Sequence, residues 1–182
     1  MDINEQIKQA KIVLNKLVVE DWKNELFSPA WLGIIAVILL SYYICFRLLD
    51  KRRLTQLLLY GSLMTVSITI IDIFATQFGF WTFLIRVLPI VPSVLFFDYT
   101  IIPLYYMLVY QYSSTWRRFA AWNAVLAGII SFIFFPLLTA LKLFKLDNWR
   151  YIYFFPLIYI LAFICRWVVW GILSVQNKKI EN

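Results

Sequence analysis

The sequence predicts an all-α, polytopic transmembrane helix bundle: about five spanning helices preceded by an N-terminal amphipathic helix. Three observations carry that expectation. The 182 residues are 63% hydrophobic and 15% charged, whereas soluble domains run nearer half apolar and a quarter charged. A soluble globule of this size has too little interior to hide so much apolar surface. Finally, the apolar residues fall into runs separated by short basic clusters, with Trp and Tyr near the run ends, as in interfacial belts.

Residues 2–26 form the first element. Lys8, Lys11, Lys16 and Lys23 stand against Asp2, Glu5, Glu20, Asp21 and Glu25, while Ile3, Ile7, Ala10, Leu14 and Leu17 recur at helical spacing. Val18, Trp22 and Leu26 widen the same stripe, so residues 1–28 read as an amphipathic interfacial helix. The bland alternative is an ordinary exposed helix. Ser28-Pro29 then starts helix 1, with proline in the first turn.

Helix 1 is expected over residues 29–49; the stretch Phe27–Phe46 carries no charge and is long enough to cross about 30 Å of hydrocarbon. Arg47, Asp50, Lys51, Arg52 and Arg53 close it. Helix 2 covers about 54–76 and is interrupted by Asp72, and the stretch from Gln77 to Trp81 turns the chain. Arg86, Pro89 and Pro92 make residues 83–92 irregular, as a re-entrant or interfacial segment would be. Helix 3 is expected over 93–112 with Asp98 and Pro103, helix 4 over 119–141 with Pro136, and helix 5 over 151–175 with Pro156 and Arg166. Ala120, Ala124 and Gly128 put a small-residue face on helix 4. Residues 177–182 form a polar tail. A cleaved signal peptide is not expected, because the first apolar run begins behind a charged start.

Charge and composition exclude several classes of function. The net charge of +7 sits in clusters at helix ends, which fits membrane topology and not nucleic-acid binding. There is no His, and Cys45 and Cys165 are the only thiols, so no usual zinc or haem ligand set can be assembled and no cofactor is expected. Both cysteines lie in apolar runs and read as packed free thiols. Ser–His catalysis, a Gly-rich phosphate loop and metal motifs are absent. Positive residues near helix ends count eight on the side of the helix 1–2 loop, the helix 3–4 loop and the tail. The other side carries six or seven, depending on Arg86. That bias places the N-terminus outside and the C-terminus in the cytoplasm of a multi-pass cell-membrane protein.

Charges inside the spans are the candidate functional residues, since each costs roughly 2.5–3.5 kcal/mol at a helix centre. Asp72 lies late in helix 2 and Asp98 early in helix 3, so both fall toward the helix 2–3 turn. Arg86 lies on that connection. Gly61, Thr65, Thr69, Asp72 and Thr76 share one side of helix 2. One cluster of Asp72, Arg86 and Asp98 is expected, with Thr69 and Thr76 beside it. Pro103 should free the carbonyl four residues back, that of Tyr99, beside Asp98. The structural alternative is an Asp–Arg pair that only sets helix register. A second polar cluster is expected around Arg166, with Asn123, Tyr110 and Gln111 at its depth. Its alternatives are stacking on Trp167 or Trp170, or snorkelling to lipid phosphate.

Several strings in this chain carry a resemblance: Asp72-x6-Gly79-x-Trp81, Pro89-x2-Pro92-x5-Asp98-x4-Pro103, and the block from Tyr106 to Tyr112 with Trp116. Asn148-Trp149 and the Tyr153–Pro156 stretch complete them. The chain resembles a family of small uncharacterised multi-pass membrane proteins of spore-forming Firmicutes and their relatives, over about residues 30–175. Members often carry an acid just before the helix 4 proline; here Phe135 stands there. The resemblance implies a bacterial cell membrane and supplies no substrate.

Three readings of function are compatible with these residues. The first is binding or movement of a small polar or lipidic ligand at Asp72 and Asp98. The second is a non-catalytic membrane subunit or scaffold of a larger assembly. The third is a membrane enzyme on a lipid or isoprenoid, with the two carboxylates as acid and base; small carotenoid cyclases are similar in size. Expected partners are membrane lipids, further copies of the chain or a larger membrane assembly.

Overall fold

The structure is a computed structural model that describes residues 2–89 and 97–180, with side chains to Gln176. The elements in chain order are α1 (Ile3–Glu25), α2 (Pro29–Leu48), α3 (Leu54–Gln77), β1 (Trp81–Phe83), α4 (Ile102–Tyr112), α5 (Trp116–Ile129), α6 (Phe135–Ala140), β2 (Phe144–Leu146) and α7 (Tyr151–Ile180). It is an all-α transmembrane bundle of four to five spans. Four helices are long and apolar enough to cross a membrane: Pro29–Leu48, Lys51–Gln77, Trp116–Ala140 and Tyr151–Gln176. A five-residue π-turn over Phe97–Ile101 leads into the eleven-residue α4. At 1.5 Å per residue these fall short of the hydrocarbon thickness by themselves. The expected start of helix 3 near Ser93 lies outside the described residues.

Local chemistry accounts for the helix ends. The Ser28 hydroxyl accepts from the Trp31 amide and Pro29 sits in the first turn of α2. Thr115 caps α5 by accepting from the Arg118 amide. Helix α3 ends in a Schellman motif: Phe80 N–H reaches the Ala75 carbonyl, Gly79 N–H reaches Thr76, and Gly79 takes φ 67°. The same pattern ends α6, but Lys142 occupies the left-handed position at φ 57°.

Both mid-span prolines follow a π-turn. Pro103 comes just after Phe97–Ile101, and Pro136 just after Ile130–Phe134. Each lacks an N–H and crowds the carbonyl four residues back, so the helix widens by one residue to keep its remaining bonds. In the second turn the Phe135 amide bonds to the Ile130 carbonyl, five residues back.

Helices α3 and α4 lie antiparallel at the centre, packed through Leu57, Tyr60, Met64, Ile102 and Tyr106 with Phe119, Ile158 and Ala162 around them. A methyl added at Gly61 would stand 2.6 Å from the Met107 sulfur, so glycine permits this approach.

Two rims bound the bundle. At one, β1 pairs antiparallel with β2 in the register Trp81↔Leu146 and Phe83↔Phe144. This small ribbon links the α3 exit to the α6–α7 connection. At the other, Gln111 ties α4 to the α2–α3 loop by accepting from the Asp50 amide at 2.7 Å and donating to the Leu48 carbonyl at 2.9 Å. Arg47, Lys51, Arg52, Arg53, Arg117 and Arg118 belong to this second, basic rim.

Helix α1 docks at the ribbon rim by its C-terminal end. The Trp22 indole donates to the Val87 carbonyl at 3.0 Å, and Asp21 pairs with Arg86. Its apolar residues Ile3, Ile7, Leu14 and Leu17 are exposed, and Val18 is buried. Residues 84–89 are neither helix nor strand; the rest of the irregular segment lies outside the described residues.

Candidate functional site

Near the ribbon rim Asp72 and Asp98 approach each other. Asp72 reaches inward from the last turns of α3 because the pattern Gly61, Met64, Ile68, Asp72, Ala75 keeps one buried face. Asp98 hangs from the π-turn before Pro103. Asp72 is 4% exposed and Asp98 0%, and the two carboxyl groups lie within electrostatic reach of each other.

Their partners differ. One Asp72 oxygen accepts from the Trp81 indole N–H at 2.6 Å, while its other oxygen is buried without a hydrogen-bond partner. Both Asp98 oxygens are buried and unpartnered. The Thr69 hydroxyl faces Asp98, without closing a well-formed hydrogen bond. Among the described residues no Lys or Arg forms an ion pair with either carboxylate, and no group of three His, Cys, Asp or Glu residues could hold a metal.

Three expected members of this cluster do other work. Arg86 is drawn to Asp21 of α1, and its guanidinium also faces Glu25. An exposed-side acid answers its charge at lower desolvation cost than the interior carboxylates would. The Thr76 hydroxyl donates to the Asp72 backbone carbonyl at 2.7 Å, bonding back along its own helix. Tyr99 is 45% exposed, and its carbonyl accepts from the Tyr42 hydroxyl at 3.1 Å. The proline does leave that carbonyl outside the α-helical ladder, but α2 takes it up.

Sequence reasoning missed Trp81 as the partner of Asp72, although both stand in the Asp72-x6-Gly79-x-Trp81 string. The ribbon holds the indole in place: Trp81 is buried against Trp149 and Phe154 at ring-centroid distances of 5.5 and 4.9 Å.

The second expected cluster splits in a similar way. Arg166 is 9% exposed and faces the bundle interior, so it does not snorkel. Its Nη2 donates to the Ser113 carbonyl at 3.0 Å. Its guanidinium carbon lies over the rings of Phe119, Trp116 and Tyr110 at 4.4, 4.8 and 5.4 Å. Trp167 and Trp170, the expected stacking partners, are exposed. Asn123 goes elsewhere, accepting from the Tyr106 hydroxyl at 3.1 Å and donating to the Tyr159 carbonyl at 3.0 Å. Gln111 holds the α2–α3 loop. Of the expected group, only Tyr110 meets Arg166. The aromatic pair Trp116 and Phe119, three residues apart at the start of α5, was the readable signal.

Compared with protein-family models, curated proteins and solved structures, the chain matches none. Its chemistry must therefore be read from its own residues.

Proposed function

We propose that this membrane protein binds a small, positively charged polar ligand at Asp72 and Asp98, and that movement of this ligand through the bundle is its function. The observation that carries the reading is Asp98: a carboxyl group with no solvent exposure and two unpartnered oxygens. Aspartate inside a membrane is costly unless something answers its charge or its hydrogen-bonding capacity. No side chain among the described residues does so by an ion pair, and an occupant of ionic size, a proton or a small monovalent cation, supplies the missing partner. Trp81 holds Asp72 in place while Thr69 offers a neutral oxygen, so the two aspartates have separate tasks.

The test uses protein reconstituted in vesicles with a pH-sensitive or sodium-sensitive dye inside. Asp98→Asn should abolish ligand-dependent flux while the variant still folds, and Asp72→Asn should weaken it. If wild-type vesicles show no flux and no cation stabilises the purified protein, while Asp98→Asn raises its melting temperature, the pair serves only helix register.

A second reading, a non-catalytic subunit, draws support from α5. Ala120, Ala124 and Gly128 stay partly exposed, and a methyl at Gly128 would meet nothing within 4 Å, so the small-residue face is unused within the chain. Mild-detergent purification that yields a monomer without companions counts against it. The orientation that accompanies both readings has the basic rim in the cytoplasm, and accessibility labelling of a cysteine introduced at Lys51 tests it.

A further inference from the structure

The basic rim holds a second polar site that the Asp72–Asp98 reading does not use. Between the starts of α3 and α5 and the ends of α4 and α7 lies a cavity of ≈ 270 Å³ whose lining includes Arg53, Gln56, Ser113, Ser114, Arg166 and Trp170. Two guanidinium groups contribute to it, and they lie within electrostatic reach of each other. Neither forms an ion pair among the described residues.

The donors in this cavity are partly uncommitted. Arg166 is buried, with Nη2 bonded to the Ser113 carbonyl and Nη1 without a partner. The Ser113 hydroxyl is also buried and unpartnered. Arg53 is held by Gln56, whose Oε1 accepts from Nε at 3.2 Å and Nη2 at 3.1 Å, and Gln56 in turn donates to the Tyr110 hydroxyl at 2.7 Å. A guanidinium has five N–H donors, so others stay open. The nearest acid in sequence, Asp50, accepts from the Arg52 amide and is not part of the lining. The N-terminal turn of the fourteen-residue α5 adds a further positive end through Trp116.

Two like charges lining one cavity, with buried donors lacking acceptors and no acid in the wall, are costly without an anion. The rings of Tyr110, Trp116 and Phe119 offset part of the cost for Arg166 but accept none of its in-plane N–H bonds. We propose that this cavity binds a phosphate-like oxyanion, presented by a lipid headgroup at the membrane surface or as free phosphate. Arg166 and Arg53 grip its oxygens, in the manner guanidinium groups bind phosphate, and Ser113 and Ser114 supply hydroxyl donors.

The experiment compares the purified full chain with Arg53→Gln and Gln56→Ala, which alter exposed or half-buried positions, and with the buried Arg166→Lys. Two probes are used: inorganic phosphate added to protein in neutral detergent, and nanodiscs of phosphatidylcholine with or without phosphatidylglycerol. The readouts are melting temperature and lipid retained in native mass spectrometry. Saturable stabilisation by phosphate, weakened about tenfold in Arg53→Gln, supports the site with a soluble anion. Retention of phosphatidylglycerol by wild type and its loss in Arg53→Gln supports the lipid source. If neither probe stabilises wild type, or Arg53→Gln and Arg166→Lys bind both as wild type does, the proposal fails. Failure here leaves Asp98-dependent flux untouched, because the two sites share no residue and lie at opposite rims.

Discussion

Trp81 and Asp72 show how much a single contact in the bundle can organise. Among the described residues the indole N–H is the one donor on the Asp72 carboxylate, at 2.6 Å in a buried setting. Trp81→Phe keeps the ring packing and removes that donor, and thermal unfolding in detergent should register a loss of about 1.5–3 kcal/mol. An unchanged melting temperature would mean that water or a ligand replaces the indole. Lys142 offers the opposite case. It holds a left-handed backbone conformation at φ 57° that suits glycine better. Lys142→Gly should therefore stabilise the chain by about 1 kcal/mol, read by the same unfolding measurement; a loss of stability would indicate that the lysine side chain makes a compensating contact.

At the scale of elements, the α3–α4 pair and the ribbon set the geometry of the acidic site. Gly61 lets α4 close on α3 through Met107. Gly61→Leu must push the helices apart or eject Met107, and a cost of roughly 1–3 kcal/mol is expected from overpacking. Cation-dependent stabilisation should fall with it, because Asp98 sits in the π-turn that leads into α4 and Asp72 lies on α3. The ribbon responds to acid. The Lys145 ammonium, hydrogen-bonded to Asp147, holds that carboxyl below its ordinary value, with Thr82 adding to the effect. A carboxyl depressed in the folded state contributes stability that is present above its ordinary value of 3.8 and lost as pH falls through the depressed one. Burial pushes Glu25 the other way, and Asp21 adds to it, so its contribution is present below its ordinary value of 4.5 and lost as pH rises through the raised one. Amide protection factors across residues 144–147, taken relative to intrinsic exchange at each pH, should fall in acid, and Asp147→Asn should flatten that dependence.

For the whole molecule, the docking of α1 is the least secure feature. Among the described residues it is held by Trp22 to Val87, by the Asp21–Arg86 pair at a partly exposed surface, and by the smaller contributions of buried Val18 and of Glu25 beside Arg86. A double-mutant cycle on that pair should give a coupling of about 0.2–1 kcal/mol, with faster protease cleavage within α1 in either single variant. The exchanged pair Asp21→Arg with Arg86→Asp should restore protection, and failure to do so would assign the docking to the remaining contacts of Trp22, Val18 and Glu25. With its apolar residues exposed, α1 suits an interfacial position with its stripe in the headgroup region.

The all-α bundle, its apolar spans and the inward placement of Asp72 and Asp98 follow from the sequence by itself, whereas it left Arg166 open between a buried partner and snorkelling. Transfer from water to hydrocarbon acts on every residue of a run in the same direction, and helical spacing then assigns each residue a face. Ser28 and Pro29, Gly79 and the two mid-span prolines are local signals of the same kind. Partner choice was decided only in three dimensions. Arg86 had interior aspartates and an exposed acid to choose from, and desolvation sent it to Asp21. Arg166 exchanged Asn123 and Gln111 for three aromatic rings, which lie near it because α4, α5 and α7 meet at one rim. The ribbon that carries Trp81 to Asp72 joins segments more than sixty residues apart. No short-range pattern encodes such a pairing, because hydrogen bonds and ion pairs act over a few ångströms, between groups that only the packed chain brings that close.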